Sequence, residues 1–219
     1  METIRRIWNA WKTITEMLTD RRYHVPEGTL VAWESFAKKW GTSNPTKVRA
    51  SFTELFAKKK DDDPDIMVLM RESIGNAQIQ EIYTLALAQG ESISSVIVVY
   101  TDKVTPSAEM GIRQLRVKRM NIQCFTEDSL QYNVTHHKLV PRHTICSMET
   151  KTSLMKQYHT DKDHLPQIKA TDPVCAYLGA KKGQLIEIVR KSDSVDKVEE
   201  GETEAKKTQL YDITYKIVI

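Results

Sequence analysis

The sequence predicts an α+β protein with two domains, in which helices pack on β-sheets. Three observations support this prediction: amphipathic helices near the N-terminus, two apolar strands separated by a helical stretch, and a change after Tyr132 to irregular segments that alternate with short elements. A length of 219 residues suits one large domain or two small ones. We therefore expect an N-terminal mixed-sheet domain with helices at 1–132 and a smaller C-terminal α+β domain at 133–219.

Apolar residues near the N-terminus recur at three- and four-residue steps. They are Ile4, Ile7, Trp8, Trp11, Ile14 and Leu18, and they predict a first helix that ends near Arg21. A second amphipathic helix is expected from about Thr29 to Gly41. Its inward residues are Leu30, Trp33, Phe36 and Trp40. Aromatic stripes at helical spacing usually face a core, so core packing is predicted here in preference to an aromatic ligand site.

The middle of the chain has a β-α-β pattern. The apolar runs 65–70 and 94–100 predict strands, and the stretch 77–88 before Gly90 predicts the helix between them. A crossover of this length places the strands side by side in a parallel or mixed sheet that is covered on both faces. A short helix at 107–115 and a strand at 121–125 complete the domain.

The second half alternates irregular segments with short elements. We expect an irregular segment at 136–143 and a helix at 147–158. Asp172 is placed to cap a short helix that starts at Pro173 and ends before Gly179. The turn at Lys182 and Gly183 leads into a strand at 185–189, which is expected to pair with the alternating segment at 213–219. The polar stretch 193–207 between them is expected to be a flexible hairpin tip.

Composition and charge exclude several classes of protein. Apolar residues make up 40% and charged residues 28%, as in globular proteins, and the longest apolar runs are too short to cross a membrane. A net charge of +3 is too small to drive nucleic-acid binding over the whole surface. Three widely spaced cysteines do not suggest a disulfide framework, so we expect a reducing compartment, the cytosol or the nucleus.

Searches for catalytic and metal-binding patterns give no match. A glycine-rich phosphate loop is missing, because the stretch 179–183 lacks the required spacing and precedes a strand. A nuclease pairing Asp65 with the next strand would need an acid where Thr101 stands. His136, His137, His143 and Cys146 could ligate zinc, but the close ligand pairs of structural zinc sites are lacking. We therefore expect no catalytic residue, no metal and no cofactor.

One local concentration of positive charge remains, between Lys103 and Arg119. It has five basic residues against Glu109, a local charge of +4. Thr105 and Pro106 begin a helix whose free N–H groups could receive a phosphate. From the residues alone, an ordinary capped helix with a solvated basic face is the preferred explanation of the pattern, and a phosphate-binding helix start is the alternative.

Two motif blocks resemble a known family. The first half contains Asp-Arg-Arg-Tyr at 20–23, Val-Val-Tyr at 98–100 and Thr-Pro-Ser-Ala at 105–108. The second half contains Asn-Val-Thr-His-His-Lys-Leu-Val-Pro-Arg-His at 133–143, followed by Leu-Pro at 165–166 and Asp-Pro-Val at 172–174. Together they resemble the fifth subunit of the eukaryotic nuclear RNA polymerases I, II and III. The second half is also similar to the small archaeal RNA polymerase subunit that corresponds to it.

The resemblance implies a non-catalytic structural subunit in the nucleus. Residues 1–132 would be a jaw domain along downstream duplex DNA, and residues 133–219 an assembly domain docked on the largest polymerase subunit. Other polymerase subunits, including the small omega-like one, would also be partners, and no membrane would be involved. The implied DNA-facing residues are Lys103, Thr105, Pro106, Ser107, Ala108, Arg113 and Arg116. The implied assembly residues are His136, His137, Pro141, His143, Pro166, Asp172, Pro173, Tyr177, Gly179, Lys182 and Gly183.

Some positions depart from the family pattern. Gln167, Ala176 and Lys216 replace the family's usual arginines, and arginine is not interchangeable with them at two-point contacts. The stretch 193–207 is also longer than the family's short turn. A divergent lineage and a paralogue dedicated to one polymerase both explain these departures. A free DNA- or protein-binding adaptor of related fold is the alternative function.

Overall fold

The computed structural model describes residues 1–57, 65–88, 93–159, 164–191 and 211–219. These residues form two compact units, Met1–Asn133 and Val134–Ile219. The α+β class is confirmed. The described helices are α1 Glu2–Asp20, α2 Trp33–Trp40, α3 Pro45–Ser51, α4 Asn76–Ala88, α5 Pro106–Val117, α6 Met148–Gln157 and α7 Pro173–Leu178. The described strands are β1 Thr53–Phe56, β2 Asp65–Met70, β3 Ile93–Tyr100, β4 Asn121–Thr126, β5 Arg142–Ile145, β6 Gln167–Ile168, β7 Leu185–Lys191 and β8 Tyr211–Val218.

The first unit is built on a mixed sheet of strand order β1-β2-β3-β4. β1 runs antiparallel to β2, whereas β2, β3 and β4 are parallel, so the predicted β-α-β crossover is confirmed. One set of alternate residues, which includes Met67, Val96 and Ile122, packs in a cluster with α4 and α5. The other set, which includes Val68 and Ile97, is also buried. Both faces of the central strands are therefore covered, as predicted.

Helix α1 confirms the predicted apolar stripe. Ile4, Ile7, Trp11, Ile14 and Leu18 are buried, because three- and four-residue steps return to one side of a helix. Trp8 is only half-buried.

The predicted start of the second helix is wrong. The helix begins at Trp33, four residues after Thr29. The indole N–H groups of Trp8 and Trp11 donate hydrogen bonds to the carbonyls of Val31 and Thr29, at 2.9 and 3.1 Å. These bonds hold 29–31 against α1 in a non-helical conformation, so Leu30 stays exposed. Core packing is confirmed for Phe36 but only partly for the half-buried Trp33 and Trp40.

The second unit contains a mixed sheet of strand order β5-β7-β8-β6. β7 pairs antiparallel with β8, which confirms the predicted hairpin strands. The predicted tip at 193–207 lies outside the described residues. The segment 136–143, expected to be irregular, is only partly so, since it ends inside β5, which pairs antiparallel with β7. α6 and α7 confirm the two predicted helices within a residue or two of their bounds.

None of the helices in the described ranges is long and apolar enough to cross a membrane.

Candidate nucleic-acid and assembly surfaces

The loop before α5 lies at the carboxyl edge of the parallel strands. The N–H of Thr105 donates to the carbonyl of Ile74 at 2.9 Å, and the N–H of Ile74 donates to the carbonyl of Lys103 at 3.0 Å. Glu72 accepts backbone bonds from Thr101 and Asp102 in the same way, at 3.1 and 2.9 Å. The loops that follow β2 and β3 therefore support each other, and the start of α5 has a fixed position.

Thr105 caps α5 as the sequence predicts. Its Oγ1 accepts the backbone N–H of Ala108 at 3.3 Å and lies 3.0 Å from the Oγ of Ser107. Pro106 occupies the first turn, where its missing N–H costs nothing. Ala108 has 0% of its surface exposed and packs into the core cluster of the first unit. Its methyl group therefore contributes to the core, and the DNA-facing role implied for this residue stays a prediction.

The cations of this region are exposed. Lys103, Arg113, Arg116, Lys118 and Arg119 are all at the surface, and we call them the basic cluster. Arg113 Nη2 lies 3.5 Å from Glu109 Oε2, one helical turn earlier, and both side chains are well exposed. Lys118 Nζ lies 4.8 Å from the ring centre of Tyr83 on α4. Such weak, solvated contacts leave most of the positive charge available to a polyanion.

The second unit uses several implied assembly residues for its own fold. Asp172 Oδ1 accepts the N–H groups of Val174 and Cys175, at 2.9 and 3.3 Å, and so caps α7. Gly179 ends that helix in the left-handed region with φ 69°. Tyr177 has only 3% of its surface exposed. These residues shape the unit from within, whereas Pro173 at the first position of α7 is exposed.

The segment 136–143, which we call the histidine segment, is organised by local hydrogen bonds. His143 Nδ1 lies 2.8 Å from the carbonyl of Pro141, and His137 Nδ1 accepts the N–H of Leu139 at 3.2 Å. His136 and His137 are exposed, while Pro141 and His143 are half-buried. No group of three or more potential ligands that could hold a metal ion occurs among the described residues.

The remaining implied assembly residues lie beside β8. The carbonyl of Pro166 accepts the N–H of Ile217 at 2.8 Å, and the N–H of Gly183 donates to the carbonyl of Val218 at 2.8 Å. The carbonyl of Gly183 also accepts Lys151 Nζ at 2.6 Å, which ties α6 to the turn. Lys182 is exposed beside them.

Sequence reasoning missed an exposed apolar side chain in the histidine segment. Leu139 lies within the family-like string but has 83% of its surface exposed. Tyr211 and Ile213 on β8 and Met148 on α6 are also at least half exposed. The sequence alone does not show whether a leucine in such a string is buried or exposed. Single exposed apolar side chains are common on protein surfaces, so Leu139 is of interest because it also lies within the family-like string.

The nuclease arrangement does not assemble. β2 and β3 are parallel, and Asp65 pairs with Ile93 at the start of both strands. Thr101 and Asp102 follow the end of β3, at the opposite edge of the sheet. The acids are therefore too far apart to share a metal ion.

Comparison with known proteins covers both units. The model of the N-terminal domain of RNA polymerase Rpb5 matches residues 1–86, and the model of its C-terminal domain matches residues 132–200. These matches define a two-domain polymerase-subunit class. The basic cluster lies between the two matched ranges.

Full-length relatives extend this similarity over the chain. The subunit RPABC1 of DNA-directed RNA polymerases I, II, and III from Caenorhabditis elegans is 31% identical, over 98% of this chain and 96% of its own length. The corresponding subunit from Dictyostelium discoideum is 29% identical, over 89% of this chain and 94% of its own length. The chain belongs to the Rpb5 family of RNA polymerase subunits. The resemblance drawn from its motifs is thereby confirmed.

Proposed function

We propose that this chain is a non-catalytic structural subunit of nuclear DNA-directed RNA polymerase. In this role the second unit docks on the largest subunit, and the first unit lies as part of the lower jaw along downstream duplex DNA. The observation that carries the proposal is the family match in both halves, with relatives named as subunits shared by polymerases I, II, and III. Its partners are then the largest subunit, other polymerase subunits including the omega-like one, and downstream DNA.

The basic cluster supports the DNA-facing part. Exposed Lys and Arg side chains beside a capped helix start meet phosphate oxygens and carry no base code. Binding should therefore be weak, independent of sequence and sensitive to salt. With a net charge of +3, the isolated chain should hold duplex DNA poorly. The contact becomes effective when the rest of the polymerase fixes the duplex beside it.

The exposed apolar side chains support the docking part. Leu139 on the histidine segment and Ile213 on β8 present apolar area to solvent in the isolated unit. Burying such area against a partner favours association through the hydrophobic effect, once the cost of ordering the two surfaces is offset. His136, His137 and Lys182 are exposed, so their surfaces can contact the same partner. Asp172, Tyr177 and Gly179 contribute indirectly, by fixing the shape of α7.

Affinity purification of the tagged chain, with mass spectrometry, tests the proposal as a whole. Co-purification of the largest subunits of all three nuclear polymerases is the expected result. Recovery of one polymerase class alone would identify a dedicated paralogue. Recovery without any polymerase subunit would contradict the proposal and favour a free adaptor.

A matched pair of variants tests the docking surface. Leu139→Glu should prevent incorporation into the polymerase, because a carboxylate would be buried without a partner. Val117→Glu is the control, since Val117 in the first unit is 85% exposed and Leu139 is 83% exposed. Equal incorporation of both variants would place docking elsewhere.

A second pair tests the DNA-facing surface inside the assembled polymerase. Arg113→Glu combined with Arg116→Glu should reduce crosslinking of this chain to downstream DNA. The slope of the logarithm of the DNA-binding constant against the logarithm of the salt concentration should become smaller by about one for each phosphate that is no longer neutralised. Lys38→Glu is the control, because Lys38 is exposed on α2, outside the basic cluster. Crosslinking that survives the double change would show that the cluster is an ordinary solvated helix face.

A further inference from the structure

An aromatic cavity in the first unit has no role in the function proposed above. It has a volume of about 440 Å³ and lies among α1, α2 and β1. Its aromatic lining consists of Trp8, Trp11, Phe36, Trp40 and Phe52. The volume falls within the about 300–1,000 Å³ that is usual for ligand pockets. None of the basic-cluster residues lines it.

The walls of the cavity are held in place before any ligand arrives. The rings of Trp11 and Phe52 lie 4.8 Å apart between centres, and those of Phe36 and Phe52 lie 6.1 Å apart. Trp8 packs edge-on against Trp33 at 5.9 Å. Because these contacts fix the rings, a ligand would not have to order them, and preorganisation of this kind favours binding.

The indole donors of the two α1 tryptophans are already used. Trp8 Nε1 donates to the carbonyl of Val31 and Trp11 Nε1 to that of Thr29, at 2.9 and 3.1 Å. The wall therefore presents ring surface rather than free N–H groups at these positions. A bulky apolar side chain packs well against such ring surface. A ligand recognised through its carbonyl oxygens would need free N–H donors, which the indoles of Trp8 and Trp11 do not offer.

The charges around these rings are mostly positive. Lys39 Nζ lies 5.0 Å from the ring centre of Trp40, Lys12 Nζ 5.9 Å from that of Trp8, and the Arg5 guanidinium carbon 5.6 Å from that of Trp33. In the part of the chain that the structure describes, Glu54 is the acid among the lining residues. Glu16 Oε1 lies 3.9 Å from Lys12 Nζ and offsets part of the positive charge of Lys12.

This charge pattern selects between two kinds of ligand. Aromatic cages bind methylated lysine through the negative faces of their rings. Here Lys12 and Lys39 already lie near the rings of Trp8 and Trp40, so another cation would be repelled at these two rings. Carboxylates, in contrast, would find Lys39, which lines the cavity, and Lys12, whose Nζ lies 5.9 Å from the ring centre of the lining Trp8.

We propose that this aromatic pocket binds an acidic peptide segment of a partner protein. One bulky apolar side chain of the segment enters the cavity among Trp8, Trp11 and Phe52. Its flanking carboxylates lie beside Lys39 and Lys12. The interaction is independent of the DNA-facing and docking surfaces, so it can fail without affecting either.

The test uses the full-length chain and four short synthetic peptides. The first has acidic residues on both sides of one phenylalanine, and the second has basic residues on both sides of the same phenylalanine. The third has the acidic flanks with alanine in the centre, and the fourth carries trimethyl-lysine. NMR signals of the indole N–H groups report the pocket, and fluorescence anisotropy gives the affinities. The first peptide should shift the Trp8, Trp11 and Trp40 signals and bind about tenfold more tightly than the others.

A pair of charge variants on α2 sharpens the test. Lys39→Glu should weaken binding of the acidic peptide about tenfold at about 0.15 M salt, where exposed charges more than about 8 Å apart are largely screened, because it reverses a charge at the cavity. Lys38→Glu should leave binding unchanged, since Lys38 is exposed on the same helix but does not line the cavity. Both side chains are exposed, so neither change should affect folding.

Several outcomes would overturn the proposal. They are equal binding of the acidic and basic peptides, preference for the trimethyl-lysine peptide, and equal effects of the two lysine variants. Absence of any indole shift with the first peptide at about 1 mM would also overturn it.

Discussion

Arg49 and Glu127 form a buried two-point ion pair in the first unit. Arg49 Nε lies 2.7 Å from Glu127 Oε2, and Arg49 Nη2 lies 3.2 Å from Oε1. The two side chains are 6% and 1% exposed. Thr101 Oγ1 also donates to Oε2, at 3.3 Å. The pair joins α3 to the segment after β4, next to the loop that positions α5.

Removing one partner of this pair should destabilise the first unit strongly. Glu127→Ala leaves the Arg49 guanidinium buried without its carboxylate, so we expect a loss of about 3–5 kcal/mol in the free energy of unfolding. Urea denaturation measures it. The double replacement Arg49→Met with Glu127→Leu should lose much less, since no charge remains buried.

A solvent-exposed pair nearby provides the control. Arg6 contacts Asp128, and their side chains are 42% and 73% exposed. Asp128→Ala should therefore cost no more than about 1 kcal/mol. If Glu127→Ala were equally mild, the buried pair would contribute little to stability.

The sequence predicts the parallel strands of the first unit well, because continuous apolar runs and a helix-length spacer leave few alternatives. It does not reveal α3 or β1. β1 has four residues, of which only Phe56 is buried, so neither an apolar run nor an alternation marks it. Asn44 caps α3 and Pro45 starts it, but these signals belong to turns as well.

Long-range polar contacts account for the other differences. Arg49 and Glu127 are 78 positions apart, and nothing in the local sequence indicates that either is buried. The late start of α2 depends on hydrogen bonds from Trp8 and Trp11, which lie on a different helix. For the same reason the motif string around Leu139 indicates the family but not which of its side chains are exposed.

Cys124 should make the first unit less stable at high pH. Burial raises the pKa of this thiol from 9.0 to about 11, although Arg116 acts in the opposite direction. The unfolded chain ionises first, so this contribution is complete below pH 9 and is lost as the pH rises towards 11. Between these limits the free energy of unfolding should fall by up to about 1.4 kcal/mol per pH unit.

The measurement compares the chain with its Cys124→Ala variant in urea at a series of pH values. The other titrating groups are common to both proteins, so the difference in slope isolates Cys124. Identical slopes would contradict the assigned burial. As a second measurement, alkylation of Cys124 in the folded protein should be slow at pH 8, because little thiolate is present.

The caps of α7 should affect folding more than partner binding. Asp172→Ala removes the acceptor for two backbone N–H groups and should cost about 1 kcal/mol. Asp172→Asn keeps a capping oxygen and should cost little. Thermal unfolding of both variants gives the stabilities, and incorporation into the polymerase gives the binding. Loss of incorporation by the stable asparagine variant would assign Asp172 to the interface.

Residues 133–219 should fold when expressed alone. The second unit has its own four-stranded sheet and a core cluster that includes Cys175, Ile186 and Val218. Cooperative unfolding in urea, together with dispersed amide NMR signals, is the expected result. A noncooperative transition would show that this unit depends on the first 132 residues.

Gly111 sets how closely α5 approaches α4. A Cβ at this position would lie 3.2 Å from Ile79 Cγ2 and 3.3 Å from Asn76 Oδ1, both on α4. An added methyl group requires a shift of a few tenths of an ångström, whereas a leucine cannot fit without separating the helices. Gly111→Leu should therefore destabilise the first unit by about 1–3 kcal/mol, the usual cost of overpacking. Met110→Leu is the control on the same helix, since Met110 is 62% exposed.

Because α5 carries Arg113 and Arg116, the same displacement should weaken DNA crosslinking in the polymerase even where the protein remains folded. Unchanged stability of Gly111→Leu in urea denaturation would show that the two helices can separate at little cost, and that the basic cluster is not held rigidly.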